Sequence, residues 1–510
     1  MSNSTLLAHN TLWNALERFS TMGIQLVCTF VLARFLSPSD FGLVGMLVVF
    51  TLIGNTLTES GFSQALIRER DIPHSTLSTV FWTNVVLSLL IYLLLYAAAP
   101  LIAGFYAEPQ LTDVSRVTFL VIPLGALSLI HYTICTRAMQ FRRMCLISLS
   151  ASFVSCVVAV YWAWQTHSVW ALVIQNVAAY ALRAIGYWVS DRWLPSLQFS
   201  WNELRRLFRF SRNLLITGII GNLFNNIYTL LIGRFYGATE AGYFVQADRI
   251  RMVASTSSTQ VIQSVSYPIL SRLNNGQGFD NDTQSPTDVD PSPADTDRLL
   301  LSAYRRIILI TLLLVGFFMA LLMSVSEDLM ELLMGSYEWR ISGRYLMALG
   351  VAGILFPLHA VNQNILLVKG LGSTVLWIEV ARRSLMVLLL IVAVQFSVEV
   401  FVWSYALYSF LLIFLNLWVC GRPIGYGLRA QLRDIRPILT ALLVMVVASI
   451  CLNHLLALQA LWLRLPLTLC LTALTGLLLL HRHPAFREAL SLIRGLLHHS
   501  SNDNSLSAHV

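Results

Sequence analysis

Six arginines stand inside stretches that are otherwise apolar: Arg18, Arg183, Arg249, Arg251, Arg382 and Arg383. A guanidinium is always charged and presents paired donors in a planar fork, the geometry that meets phosphate or carboxylate oxygens two at a time. Four carboxylates, Glu17, Glu59, Asp248 and Glu379, lie in the same stretches and leave the arginines in excess. Polar residues recur around them at helical spacing. Thr51, Asn55, Thr58 and Glu59 share one helix face, and Asp248, Arg251, Ser255 and Thr259 share another. Asn222, Asn225 and Asn226 make a third such face, and His359, Asn362 and Gln363 a fourth. Together they read as a surface for an anionic cargo, with guanidiniums for phosphate oxygens and amides and hydroxyls for the hydroxyls of a sugar. Plainer readings stand beside this one. Polar faces also hold helices together, Arg183, Arg382 and Arg383 can reach headgroups from the inner ends of their stretches, Arg18 can pair with Glu59, and Arg251 with Asp248.

The elements that must carry these residues are membrane helices. The 510-residue chain is 56% apolar and only 12% charged, with a mean hydropathy of +0.68, more apolar surface than a soluble core can bury. Runs of roughly 20 apolar residues, enough to cross a hydrocarbon core about 30 Å thick, occur near 11–36, 41–66, 77–104, 114–136, 144–165, 168–190, 210–234, 239–268, 299–324, 342–367, 371–396, 398–420, 437–457 and 461–481. The runs are continuous rather than alternating, which disfavours a membrane barrel. The expected fold is therefore an all-α polytopic membrane protein of about fourteen transmembrane helices. An arginine at the bilayer centre costs about 2.5–3.5 kcal/mol, so most of the six are expected to face protein or water.

One stretch occurs twice. Residues 31–46 read VLARFLSPSDFGLVGM and residues 231–246 read LIGRFYGATEAGYFVQ, so that Arg34 matches Arg234, Phe35 Phe235, Asp40 Glu240 and Gly42 Gly242. Each copy ends one apolar run and begins the next through a short polar turn. Ser37-Pro38 breaks the first helix, and Asp40 suits the positive end of the second. The repeat predicts two six-helix lobes, 1–190 and 209–420, joined by an amphipathic cytoplasmic linker at 191–208, with two further helices and a cytoplasmic tail at 421–510. Such repeats are a feature of transporters that hold their substrate between two halves. The linker region mixes Trp193, Leu197, Phe199 and Trp201 with Arg192, Arg205 and Arg206, a composition for the membrane interface. A hydrophilic insertion within 270–298 is rich in aspartate and proline and has the composition of a disordered loop.

Basic residues gather on one side of the expected spans. Arg68, Arg70, Arg137, Arg142, Arg143, Arg205, Arg206, Arg209, Lys369, Arg429 and Arg433 fall there, against Arg34, Arg116, Arg234, Arg340, Arg344 and Arg464 on the other. The positive-inside rule then places both termini in the cytoplasm, and the net charge of +8 needs no nucleic acid to explain it. The first residues lack the charged start and cleavage site of a signal peptide, so the first span is expected to remain. The seven cysteines show no CxxC pair and no metal spacing. Neither a phosphate-binding loop nor a zinc-protease or serine-hydrolase motif occurs, so no catalytic residue, metal or cofactor is expected.

The segments LARFLSPSDFGLVGM, ESGFSQALIRERDIPHSTLSTVFWTN, GRFYGATEAGYF and SYPILSRL together resemble the polysaccharide transporter branch, with its Wzx-type, colanic-acid-exporter-like flippases, of the multidrug/oligosaccharidyl-lipid/polysaccharide exporter superfamily. The likeness covers nearly the whole chain in the same order; the aspartate-rich insertion departs from it. The resemblance implies translocation of an undecaprenyl-diphosphate-linked oligosaccharide across the bacterial inner membrane by alternating access. It further implies membrane lipids as surroundings, H+ or Na+ as coupling ion, and a polysaccharide polymerase among the assembly partners. The residues expected to meet the cargo are Arg18, Asn55, Glu59, Arg183, Asn222, Asn225, Asn226, Asp248, Arg249, Arg251, His359, Asn362, Gln363, Arg382 and Arg383.

Two alternatives are weighed against this. A drug exporter of the same superfamily handles cations and needs an acidic cleft, which the arginine excess opposes. A polytopic polymerase or glycosyltransferase needs a sizeable outer loop. The longest expected one, 325–341 with Glu327, Asp328, Glu331 and Glu338, reads as a solvated connector.

Overall fold

The computed structural model describes residues 3–69, 71–274, 278–279, 286–287, 293–456, 459–481 and 483–487. Helices make up almost all of it. The chain forms two compact units, one spanning 1–245 with 333–336 and the other 246–332 with 337–510.

The first unit holds α1 (Asn3–Leu32), α2 (Pro38–Glu59), α3 (Phe62–Arg68), α4 (His74–Tyr106), α5 (Leu111–Thr118), α6 (Val121–Arg137), α7 (Phe141–Thr166), α8 (Trp170–Ser190), α9 (Trp201–Asn225) and α10 (Ile227–Tyr236). The first turns of α11 (Ala238–Asn274) also belong to it. Within this unit α1 packs on α7, α7 and α6 on α8, and α2 on α4, α6 and α9.

The duplicated turn is built from its own residues. Pro38 opens α2, where its missing N–H costs nothing, and the Asp40 carboxylate accepts from the Ser37 backbone N–H at 2.9 Å and the Ser37 hydroxyl at 2.6 Å. The two copies of the repeat then meet. A Cβ on Gly42 would run into the backbone carbonyl of Ala238, and one on Gly242 into the carbonyl of Pro38. These contacts exchange under the repeat offset, since Pro38 matches Ala238 and Gly42 matches Gly242. Glycine is required at both positions because backbone lies against backbone.

After α8 the chain runs along α4 as the connecting segment. Trp82 Nε1 donates to the Ser196 carbonyl at 2.9 Å, the Ser196 N–H to Ser78 Oγ at 3.0 Å, and the Ser200 N–H to Thr79 Oγ1 at 3.0 Å. Trp193 turns inward against Phe81 and His131, whereas Leu197, Phe199 and Trp201 stay exposed. The segment is thus pinned on one side and free for the interface on the other.

The second unit contains the rest of α11, then α12 (Pro293–Ser324), α13 (Ser326–Met334), α14 (Arg340–Val368), α15 (Gly372–Ala393), α16 (Val398–Gly421), α17 (Leu428–Leu455) and α18 (Leu461–Leu480). Its core gathers Tyr304, Leu312 and Met319 of α12, Leu358 of α14, Leu417 of α16, and Ile438 and Met445 of α17. In the hydrophilic insertion, a two-residue antiparallel pairing sets Gly278 opposite Thr287 and Phe279 opposite Pro286. The rest of 275–292, on which the expectation of disorder falls, lies outside the described residues.

Among the described residues ten helices are long and apolar enough to cross a membrane, or up to 11 if the bent pair α9–α10 is one span, so the count of about fourteen is not confirmed. Three expected spans fall short: 168–190, 239–268 and 371–396, now α8, α11 and α15. Those helices carry Arg183, then Asp248, Arg249 and Arg251, then Glu379, Arg382 and Arg383.

The 325–341 segment is not the solvated connector its composition suggests. It folds into α13 and a short turn with Trp339 buried. Arg340 reaches Asp328 at 3.0 Å, Glu331 at 2.9 Å and Glu327 at 3.0 Å, and Arg464 Nε of α18 donates to Asp328 Oδ2 at 2.7 Å. The acids face arginines supplied by neighbouring helices, so burial is tolerated. Asp328→Asn should leave Arg464 without its carboxylate, while Arg340 keeps Glu327 and Glu331, and lower stability by on the order of 3 kcal/mol. Thermal unfolding in detergent checks this; an unchanged midpoint would show that the knot contributes nothing to stability.

Candidate functional site

Helix α15 is two-faced. Leu376, Trp377, Val380 and Leu388 are exposed, as residues facing lipid are, while Glu379, Arg382 and Arg383 fall together one turn apart. Glu379 Oε2 lies 2.7 Å from Arg382 and 3.8 Å from Arg383. Gln363 of α14 donates to Glu379 Oε1 at 2.9 Å. His359, one turn before Gln363, has its Nε2 3.1 Å from Arg382 and its Nδ1 2.8 Å from the Asn416 amide of α16. Because a guanidinium only donates, Nε2 accepts and the ring proton sits on Nδ1. Turning the Asn416 oxygen toward that proton satisfies both groups and gives Asn416 Oδ1 the partner it otherwise lacks. Tyr408 of α16 stands beside the same charges.

Asn362 leaves this group. It is fully buried and its Oδ1 accepts from the Tyr304 hydroxyl of α12 at 2.6 Å, so the expected face of His359, Asn362 and Gln363 is divided between two neighbours. Asn416, Tyr408 and Tyr304 were not singled out from sequence. Asn416 had a signal, a lone amide in the apolar run LLIFLNLWV.

Arg251 is neutralised on its own helix. Its Nε lies 2.7 Å from Asp248 Oδ1, its side chain is 9% exposed, and its guanidinium sits 5.5 Å from the Tyr405 ring centre. The stem packs against Gly353 of α14, and Ser255, one turn on, donates to the Gly353 carbonyl at 3.1 Å. Of the alternatives open from sequence, the structure forms the Asp248–Arg251 pair. Arg249 is exposed on the opposite side of the helix, and the Thr259 side chain lies outside the described residues.

In the first unit, Arg183 stacks 4.8 Å from the centre of the Tyr180 ring. A Cβ on Gly125 would lie 3.4 Å from Tyr180 and 3.9 Å from Asn55 Oδ1, so Asn55 and Tyr180 both lie close to Gly125. Asn222 donates to Thr56 Oγ1 of α2 at 2.8 Å, and Asn226 donates to the Asn222 carbonyl at 2.9 Å. These amides sit at the α9–α10 break, where the helix axis bends by 45°. They take up backbone and side-chain groups that a broken membrane helix leaves open, while Asn225 points outward and is exposed.

The Arg18–Glu59 pair is not formed among the described residues. Arg18 is exposed and Glu59 half-buried. The adjacent Glu17 accepts from Ser148 Oγ of α7 at 2.7 Å instead. Position 17 rather than 18 faces α7, a matter of helix rotation that spacing alone does not set.

Among the described residues no group of His, Cys, Asp and Glu is arranged to hold a metal ion. The arrangement on α14, α15 and α16 offers instead two guanidiniums against one carboxylate, ringed by an imidazole, two amides and a phenol. That is a chemistry for binding anions and hydroxyl-bearing molecules.

A family model described as "Polysaccharide biosynthesis protein" matches residues 31–281. The chain is 26% identical over 379 residues to the succinoglycan biosynthesis transport protein ExoT of Rhizobium meliloti (strain 1021), covering 73% of this chain and 70% of that one. It is 26% identical over 357 residues to the lipopolysaccharide biosynthesis protein WzxC of Escherichia coli (strain K12), covering 67% and 66%. Its fold is similar to that of the lipid II flippase MurJ in an inward closed conformation, with a TM-score of 0.65 at 11% identity over 95% of this chain and 100% of that one. The chain is thus similar in sequence to polysaccharide transport and biosynthesis proteins and in fold to a lipid II flippase.

Proposed function

We propose that the protein is a flippase that moves a lipid-linked polysaccharide repeat unit, carried on undecaprenyl diphosphate, across the bacterial inner membrane by alternating access. The observation that carries the reading is the cationic surplus of Arg382 and Arg383 over Glu379, set among Gln363, His359 and Asn416. Guanidiniums suit the diphosphate through paired donors, and amides suit sugar hydroxyls. Asn55, Arg183 and the Asn222–Asn226 break supply a second polar surface in the first unit. Under this reading Arg18, Glu59, Asn225 and Arg249 are further cargo contacts, whereas Asp248 with Arg251, and Asn362, serve mainly to hold helices together.

The relatives with a stated role are transport or biosynthesis proteins by name, in keeping with a transporter rather than a polymerase. The reading includes both termini in the cytoplasm, coupling to H+ or Na+, and delivery to a polymerase on the outer face. It also takes the duplication as two six-helix repeats, 1–190 and 209–420, with the linker 191–208 and the terminal segment 421–510.

Deleting the gene tests the function. The lipid-linked sugar should accumulate on the inner leaflet while the exported polymer falls away. Normal export with no accumulated intermediate would overturn it.

A further inference from the structure

The ion pairs among the described residues of the second unit differ in how their charges balance. Arg251 has one carboxylate for one guanidinium. Arg340 and Arg464 share Glu327, Asp328 and Glu331, more acid than base. On α15 two arginines, Arg382 and Arg383, lie against one acid, Glu379. These three side chains stay partly open, with Arg382 20%, Arg383 23% and Glu379 25% exposed.

We infer that Glu379 is a resident stand-in for the cargo's diphosphate: it occupies the Arg382–Arg383 pair in the empty protein and is displaced when the anion arrives. This rests on the flippase reading and assigns the diphosphate to one place within it. A diphosphate joined at both ends carries one charge per phosphate, so two guanidiniums balance it once Glu379 moves aside. Glu379 is well made for the part. It stands three and four residues before its arginines, the favourable order for a helical ion pair, so it screens them where an unpaired cation would be costly. Its other oxygen is held by Gln363, and a Glu side chain has rotamers enough to swing away without moving the helix. Gln363 and the Arg382 partner His359 stay in place to meet the incoming group.

A stand-in and a scaffold predict opposite signs. If Glu379 competes with the cargo, Glu379→Gln should bind inorganic pyrophosphate about tenfold to a hundredfold more tightly than the wild type, the worth of a charge-assisted hydrogen bond that no longer has to be broken. Calorimetry on the full-length protein in detergent measures it. Adding Arg382→Ala and Arg383→Ala to Glu379→Gln should abolish the gain. Farnesyl diphosphate should bind more tightly than pyrophosphate, as expected of a site that serves a lipid-linked anion; equal affinities would overturn the assignment to the lipid-linked group. Equal or weaker pyrophosphate binding by Glu379→Gln would overturn the stand-in. Should that variant fold poorly, Glu379→Ala together with Arg382→Gln leaves one guanidinium and no competing acid, and must still bind pyrophosphate at least as tightly as the wild type. Loss of binding there sinks the inference equally. Accumulation of lipid-linked sugar in the deletion strain without a gain in Glu379→Gln rejects the stand-in and keeps the flippase. A gain without accumulation keeps the anion site and rejects the flippase.

Discussion

Gly42→Leu and Gly242→Leu should each leave little folded protein in the membrane. Both glycines lie against the backbone of the other copy of the duplicated turn, Gly42 on the Ala238 carbonyl and Gly242 on the Pro38 carbonyl. A side chain that strikes another side chain finds relief through a rotamer change. One that strikes a carbonyl in a helix does not, so the helices must move apart and lose the packing around them. Overfilling a packed site commonly costs about 1–3 kcal/mol, and more when backbone must shift. Alanine at either site should already be harmful, which separates this from ordinary loss of glycine. Gly23→Ala in α1 is the control, since nothing lies within 4 Å of its added Cβ. That change should be neutral or stabilising by up to about 1 kcal/mol, the usual helical gain of alanine over glycine. Abundance and size-exclusion profile of fluorescent fusions report all five variants. A normal profile for Gly42→Leu would mean that the two turns do not meet as closely as the structure has them.

Arg251→Met should reduce membrane abundance and thermal stability strongly, and a second change, Asp248→Asn, should restore much of the loss. The single substitution leaves a carboxylate in a poorly solvated place without the guanidinium 2.7 Å away. Breaking a buried pair from one side costs about 3–5 kcal/mol, whereas replacing both partners is often nearly neutral. Exchanging the two charges, Asp248→Arg with Arg251→Asp, should recover less than the neutral double. Only position 251 packs on Gly353 and reaches the Tyr405 ring, so an arginine at 248 regains the charge pair without those contacts. Full abundance of Arg251→Met with lost export would reverse the assignment and make Arg251 a cargo contact.

Much of this protein is written in local sequence. Hydropathy placed it in the membrane, because every peptide group in hydrocarbon must be bonded within its own helix and long apolar runs satisfy this alone. The turn at Ser37, Pro38 and Asp40 was legible because its hydrogen bonds close within three residues. Helical spacing brought Glu379 together with Arg382 and Arg383, and Asp248 with Arg251, since residues three or four apart share a face wherever the helix is set.

What remained hidden depends on how each helix is rotated and shifted against its neighbours. Glu17 rather than Arg18 faces α7, Asn362 turns to Tyr304 and away from His359, and Asn416 completes the imidazole from 57 residues along the chain. Asp328 meets Arg464 from 136 residues away while Glu327 and Glu331 close on Arg340, so the expected wet connector becomes a knot of ion pairs. Composition and period specify which residues share a face. The interlocking of side-chain ridges and grooves between helices decides what that face meets, and for this protein it sets Arg251 on Asp248 beside Gly353, and Arg382 between Glu379 and His359.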